Sequence, residues 1–243
     1  MIDHMLNEPL HLFLAITIVV IGATLQSISG LGLAVIASPI LFLIEPDFLP
    51  VPILILGCML SLLNCLRYYA QLRFTNIRLA LIGRIPGSVL GVNLLLLLPA
   101  SFFAYCFIIF ILLSVALTYR HIDITHNPRN LLLGGFFSGL MATTTSIGGP
   151  PISLVYQNSK LTTIRAELSL FFLVGTIISL LLLYISGQFH WYHIKLALPL
   201  TPAILLGFLL SLAFNKHFKQ VYLKPVIAVL SLLSCCILLT RVI

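Results

Sequence analysis

Long apolar runs separated by short polar corners set the pattern of this chain. Residues 10–29 are apolar and end in Ser29-Gly30-Leu31-Gly32, and a shorter apolar piece at 33–44 follows with Pro39 inside it. The polar corner Glu45-Pro46-Asp47 leads into a full-length run at 51–70. The next runs are 79–98, interrupted by Arg84, Pro86, Gly87 and Gly91, and 102–119, with only Pro99-Ala100 between them. After a polar stretch at 120–130 the plan repeats. Residues 131–157 are apolar but carry Gly148-Gly149-Pro150-Pro151, and runs at 166–186, 194–214 and 226–242 follow. A helix crosses a bilayer with about 20 apolar residues, whereas a barrel would show alternating strands of about ten. The pattern predicts an all-α polytopic membrane protein of two repeats, each a broken, re-entrant helical segment followed by three transmembrane helices. The first repeat covers 1–120, a linker 121–130 and the second repeat 131–243.

Composition agrees. The chain is 60% hydrophobic and 8% charged, with a mean hydropathy of +1.16, where a soluble domain carries about 25% charged residues. No stretch is left for a separate soluble domain. The start of the chain lacks a basic n-region, so the first run is expected to belong to the mature fold. All five cysteines lie in apolar runs and none forms a CxxC pair, which reads as buried small hydrophobes.

The net charge of +7 matters through its placement. If each broken segment enters and leaves on one side, the loops at 67–78, 120–129, 160–165 and 216–224 share a side. They hold Arg67, Arg73, Arg78, Arg120, Arg129, Lys160, Arg165, Lys216, Lys219 and Lys224. The other side receives Asp3, Glu8, Glu45 and Asp47, with only Lys195 and Arg241 as cations. If each broken segment crossed once, the basic loops of the second half would face outward. The positive-inside rule selects the first arrangement. It makes the basic loops cytoplasmic in a multi-pass cell membrane protein, puts both termini outside and inverts the halves relative to each other.

The two breaks carry the candidate chemistry. In the second, three threonines and Ser146 precede two glycines and two prolines. Proline lacks an N–H and biases the residue before it away from the α region, so the helix should unwind near 146–149 and restart with proline in its first turn. Unwound backbone survives in a membrane only where protein buries it or a watery cavity meets it. Matched breaks in two halves, here Gly32 and Gly149, 117 positions apart, are the pattern of secondary transporters with a midplane site. Helix starts carry unpaired N–H donors and partial positive charge, which suits a small anion. The candidate substrate-binding residues are therefore Ser29, Gly30 and Gly32 at the first break and Thr144, Thr145, Ser146, Gly148 and Gly149 at the second. Gln26 and Gln157, amides close to the breaks, join them. So does Arg84, an arginine inside an apolar run that either faces the anion or snorkels to the headgroups. The bland alternative for the breaks is close helix packing through Gly and Ser.

These residues also resemble a known family, the sulfite exporter TauE/SafE transporters. The resemblance is carried by Gly30-Leu31-Gly32 with Ser38-Pro39, by Gly135 to Gly139 with Thr144-Thr145-Ser146-Ile147-Gly148-Gly149-Pro150-Pro151, by Gly83 to Gly91, and by Arg165 with Phe171-Phe172. It implies a permease for small, often sulfur-containing anions such as sulfite or sulfonates.

Other features read more plainly. Glu167 is a proton-coupling carboxylate or a complement to its helix start. His190 and His193 flank Trp191-Tyr192, which an aromatic interface belt explains better than metal binding does. Asn64 and Asn93 are expected in helix–helix hydrogen bonds. No nucleophile–base set, phosphate loop or zinc motif is present, so no enzyme, cofactor or metal is expected, and nothing suggests a nucleic-acid partner. Without a nucleotide-binding module, a carrier must run on a gradient of protons, another ion, the substrate itself or the membrane potential. The size is compatible with a homodimer, and nothing selects an interface. A non-transporting membrane scaffold or assembly factor, and an anion channel, are the competing readings.

Overall fold

A computed structural model describes residues 9–97, 105, 108–109, 112–113, 116, 124–156 and 159–214. The expected spans at 102–119 (apart from those six positions) and 226–242, the loop at 216–224 and the candidate Gln157 lie outside the described residues. Among the described residues there are helices and turns but no strand.

The first broken segment comprises α1 (Pro9–Ser29) and α2 (Leu33–Ile44). A short 3-10 turn at Pro46–Phe48 leads to α3 (Val51–Arg67), and another at Tyr69–Gln71 to α4 (Phe74–Leu97). The second broken segment comprises α5 (Pro128–Thr145) and α6 (Gly149–Val155). Then come α7 (Leu161–Ile185), α8 (Trp191–Ala197), a 3-10 turn at Leu198–Leu200, and α9 (Thr201–Phe214). Among the described residues, five stretches are long and apolar enough to cross a membrane: Pro9–Ser29, Pro46–Arg67, Ile77–Leu97, Leu161–Ile185 and Trp191–Phe214.

Both broken segments double back on themselves, a long arm followed by a short one. At 1.5 Å per residue, α1 is about 31 Å long and α2 about 18 Å, α5 about 27 Å and α6 about 10 Å. A Cβ on Gly22 would stand 3.1 Å from the Leu33 Cα, so the start of α2 lies directly against α1. In the second segment a Cβ on Gly134 would stand 3.1 Å from the Val155 side chain, which brings the end of α6 back beside the early turns of α5. The first break is thus a full-length helix with a half-length return.

One expectation is corrected in detail. The interruption expected around Pro86 does not occur: α4 runs unbroken through it. Membrane helices tolerate a proline because neighbouring groups re-satisfy the backbone it frees. The span expected at 194–214 is present within Trp191–Phe214. Pro199 and Pro202 each remove a donor, and inside this span the chain passes through a 3-10 turn between α8 and α9.

The halves are interlaced rather than side by side. The helix α4 of the first half packs along α5 of the second, as α9 of the second packs along α1 of the first, and α3 lies against α7. The α4–α5 seam is made by glycines four apart. A Cβ on Gly83 or Gly87 would fall on the carbonyl of Leu132 or Phe136, and one on Gly135 or Gly139 on the carbonyl of Ala80 or Arg84. Backbone therefore touches backbone along the seam, the small-xxx-small contact of membrane helices.

Candidate functional site

Each break is held by local hydrogen bonds that follow from its residues. At the first, Gly30 and Gly32 adopt φ of 91° and 150°, which L side chains rarely reach. The Ser29 hydroxyl donates to the carbonyls of Leu25 and Leu31. The Gln26 side-chain oxygen accepts from the Leu33 N–H at 3.1 Å and so caps the start of α2. At the second, Ser146 takes a left-handed conformation with φ 65° and ends α5 by donating its N–H to the Ala142 carbonyl at 2.9 Å. The chain then restarts at Gly149, with Pro150 and Pro151 in the first turn of α6 as the composition demands.

The start of the next helix in the opposite half braces each break. Arg165, at the beginning of α7, donates from Nε to the Ile28 carbonyl at the end of α1, and Gly30 lies against Ile164 and Arg165. Ser146 donates its hydroxyl to the Pro50 carbonyl, just before α3, at 3.0 Å.

Between the two breaks lies a cavity with about 50 Å³ open to the centre of a water molecule. A single water needs about 10–15 Å³ on that measure, so the space suits a few waters or one small anion. Gln26 and Gly32 line it from the first break, and Ser146, Gly148 and Gly149 from the second. Gly57 and Ser61 of α3, Phe172 and Thr176 of α7, and Arg84 of α4 complete the polar and aromatic wall, with Leu31, Leu33, Val35, Ile53 and Leu54 among the apolar lining.

Arg84 does not extend away to a surface: it is 1% exposed. Its Nη1 donates to the Ser138 hydroxyl at 3.3 Å, and its guanidinium carbon sits 4.9 Å above the Phe171 ring. Ser138 in turn donates to the Gly148 carbonyl at 2.6 Å, tying the arginine to the second break. The Nε of Arg84 is buried and has no hydrogen-bond partner among the described residues. A buried cation is costly unless something compensates it, and here an aromatic face and one hydroxyl do so in part.

Six sequence candidates are thereby brought together: Gln26, Gly32, Arg84, Ser146, Gly148 and Gly149. Ser29 returns its hydroxyl to the carbonyls of Leu25 and Leu31 within the first break, and Gly30 faces α7. Thr144 and Thr145 turn their hydroxyls back to the Leu140 and Met141 carbonyls of their own helix. Gln157 lies outside the described residues. Sequence reasoning missed Ser138, Phe171 and Ser61, and it missed Gly175. A Cβ on Gly175 would fall on the Arg84 side chain, so the absence of a side chain there makes room for the guanidinium. Gly175→Ala is expected to leave the fold intact but weaken anion affinity about tenfold by displacing the guanidinium from its hydroxyl and ring contacts. Titrating the purified protein with sulfite checks this, and unchanged affinity would remove Gly175 from the site.

Glu167 is buried near the start of α7, beside Tyr156. His193 accepts from the His190 N–H at 3.0 Å and so caps the start of α8.

The family model for the sulfite exporter TauE/SafE matches residues 14–238. The chain belongs to this family. As a TauE/SafE protein it is a multi-pass membrane protein among transporters of sulfite-type anions, a family of permeases rather than enzymes. Its surroundings are the lipid bilayer and its cargo is anionic. Neither the curated proteins nor the solved structures offered a match.

Proposed function

We propose that this TauE/SafE protein carries sulfite or similarly small sulfonates and organic acids by alternating access between two inverted halves. The substrate rests in the cavity between the breaks. The observation that carries this reading is Arg84, a guanidinium buried in the wall of a cavity bounded by both breaks. One cation in a small, mostly apolar space suits a compact anion with one accessible negative charge. Arg84 holds the charge, Ser146 and the backbone of Gly148 and Gly149 meet its oxygens, and Gly32 and Gln26 close the opposite wall. Ser29, Gly30, Thr144 and Thr145 support the breaks from behind.

The exchange of roles between the halves supports the inverted repeat, with 1–120 as the first unit, 121–130 as a cytoplasmic linker and 131–243 as the second. The helix α4 stands to the second broken segment as α9 stands to the first, and the starts of α3 and α7 each brace the other half's break. Arg67 lies close enough to Arg165 to feel its charge, which supports one common side, the cytoplasmic one, for the loops at 67–78 and 160–165. Both termini then lie outside. Glu167 is the carboxylate best placed for proton coupling, since it is buried one helical turn from Phe171, the ring beneath Arg84. A homodimer is compatible with this arrangement.

The test is counterflow of labelled sulfite and small sulfonates in proteoliposomes. Saturable exchange is expected. Gly149→Leu should abolish it while leaving membrane insertion unchanged, because Gly149 faces Leu31 of the first break and a larger side chain would fill the gap between them. Undiminished exchange in this variant would remove the second break from the site. Flux without saturation would indicate a channel, and no flux for any anion from folded protein would favour the scaffold reading.

A further inference from the structure

The cavity lining reaches Ser61 on α3, and the same face of the chain stays polar and buried beyond it, toward the basic loops. Gly57, Ser61 and Asn64 are spaced by four and three residues, which stacks them on a single stripe of α3, and Tyr68 follows as the residue that ends the helix. Gly57 and Ser61 line the cavity. Beyond them, Asn64 is 2% and Tyr68 9% exposed. Three atoms along this path are buried without a hydrogen-bond partner among the described residues: the Ser61 hydroxyl, the Asn64 side-chain oxygen and the Tyr68 hydroxyl. Buried polar groups are nearly always paired, so three orphans in register call for a visitor that pairs them. The Asn64 amide nitrogen is used in packing, donating to Ser27 of α1 and to the Leu60 carbonyl, but that leaves the three oxygens unpaired. The opposite face of α3 is ordinary lipid surface, with Leu62 and Leu66 exposed.

The stripe has a direction. It starts in the cavity, passes Ser27 of α1, whose hydroxyl accepts from the Asn64 amide at 3.1 Å, and ends at Tyr68. There Arg67 lies near Arg165, and the 3-10 turn at Tyr69–Gln71 meets α7. A polar path that ends between two guanidiniums is attractive to an anion.

We propose that Ser61, Asn64 and Tyr68 line the route between the Arg84 cavity and the basic loops, held shut in this structure, along which water and the small anion pass when it opens. This route rests on the carrier reading of the same cavity. Its residues offer hydroxyls and an amide in succession, enough to replace part of an anion's hydration without binding it as firmly as Arg84 does. Opening the route requires α3 to part from the end of α1, where Asn64 and Ser27 now meet.

The test uses the full chain in proteoliposomes with its five native cysteines replaced by alanine. Single cysteines are placed by Ser61→Cys, Asn64→Cys and, as the lipid-facing control, Leu62→Cys. Thiols react as thiolates, which form only where water reaches. An anionic, membrane-impermeant maleimide added before any sulfite is therefore expected to modify positions 61 and 64 about tenfold faster than position 62. Labelling no faster than the control would overturn the route, and it does so whether or not the protein carries sulfite. A second variant separates route from site. Asn64→Leu should lower sulfite exchange about tenfold while leaving sulfite affinity within about twofold, since the residue lies outside the cavity lining. Exchange unchanged in Asn64→Leu overturns the route while the carrier reading stands. Affinity for sulfite unchanged in Arg84→Gln would overturn the carrier reading while the labelling result stands.

Discussion

Arg84→Gln should stabilise the empty protein and abolish its response to anion, two changes of opposite sign from one substitution. Arg84 is fully buried with no carboxylate partner among the described residues, and its Nε is unbonded. Burying a charge without full compensation costs several kcal/mol after relaxation, on the order of 3. Glutamine keeps a donor for the Ser138 hydroxyl and removes the charge, so the melting temperature of the ligand-free protein should rise. Charge-assisted hydrogen bonds contribute about 1.5–3 kcal/mol each, so losing the guanidinium should weaken sulfite binding by about 10- to 100-fold. Sulfite that binds only the folded state raises the melting temperature by mass action, and that rise should vanish in the variant. Thermal melts with and without sulfite read both effects. Arg84→Lys tests the fork: it keeps the charge but loses planar stacking on Phe171 and should recover little affinity. A variant that melts like the parent and still responds to sulfite would refute the assignment.

The second large effect is on the α4–α5 seam. Gly135→Ala adds one methyl group, yet that methyl would fall on the Ala80 carbonyl, and neither helix backbone can yield locally. Overpacking of a tight core costs about 1–3 kcal/mol where side chains can adjust, and here the obstruction is main chain, so the upper end or beyond is expected. Gly87→Val, against the Phe136 carbonyl, should be worse. Gly57→Ala is the control, because nothing lies within 4 Å of a Cβ there. Monodispersity after heating, followed by size-exclusion chromatography, should fall sharply for the seam variants and hold for Gly57→Ala. Equal behaviour of Gly135→Ala and the parent would mean the seam is looser than the backbone contacts imply.

How much of this was legible in the chain follows from what apolar patterning can encode. The all-helical class and the two breaks were readable, the breaks because Gly-Gly-Pro-Pro and Gly-Leu-Gly restrict the backbone whatever surrounds them. Once both breaks were placed, Gly32, Ser146, Gly148 and Gly149 had only one interior to share. The facing of the unbroken helices was not readable. In α3 and α7, apolar residues cover both the lipid and the protein side, so nothing marks Ser61 or Gly175 as inward. Thr144 and Thr145 looked like ligands because a free hydroxyl and one returned to its own helix carbonyl have the same sequence. Gly87 and Gly91 were visible and were read, with Arg84 and Pro86, as interrupting the run at 79–98, and Gly83 entered only through the family resemblance. Their spacing of four was instead the mark of a contact face, paired with Gly135 and Gly139.

That seam has a kinematic consequence. Two helices in main-chain contact over several turns have no compliant side chains between them, so they move as one body. Arg84 and the second break, joined through Ser138, must travel together. The corresponding contact in the other half has, among the described residues, one glycine in main-chain contact, Gly207 against Val20 and Ala23 of α1, with the Thr24 hydroxyl donating to the Gly207 carbonyl at 3.1 Å. On the proposed carrier reading, the change of shape that opens the cavity would therefore fall to the first hairpin, sliding against a frame that carries the charge.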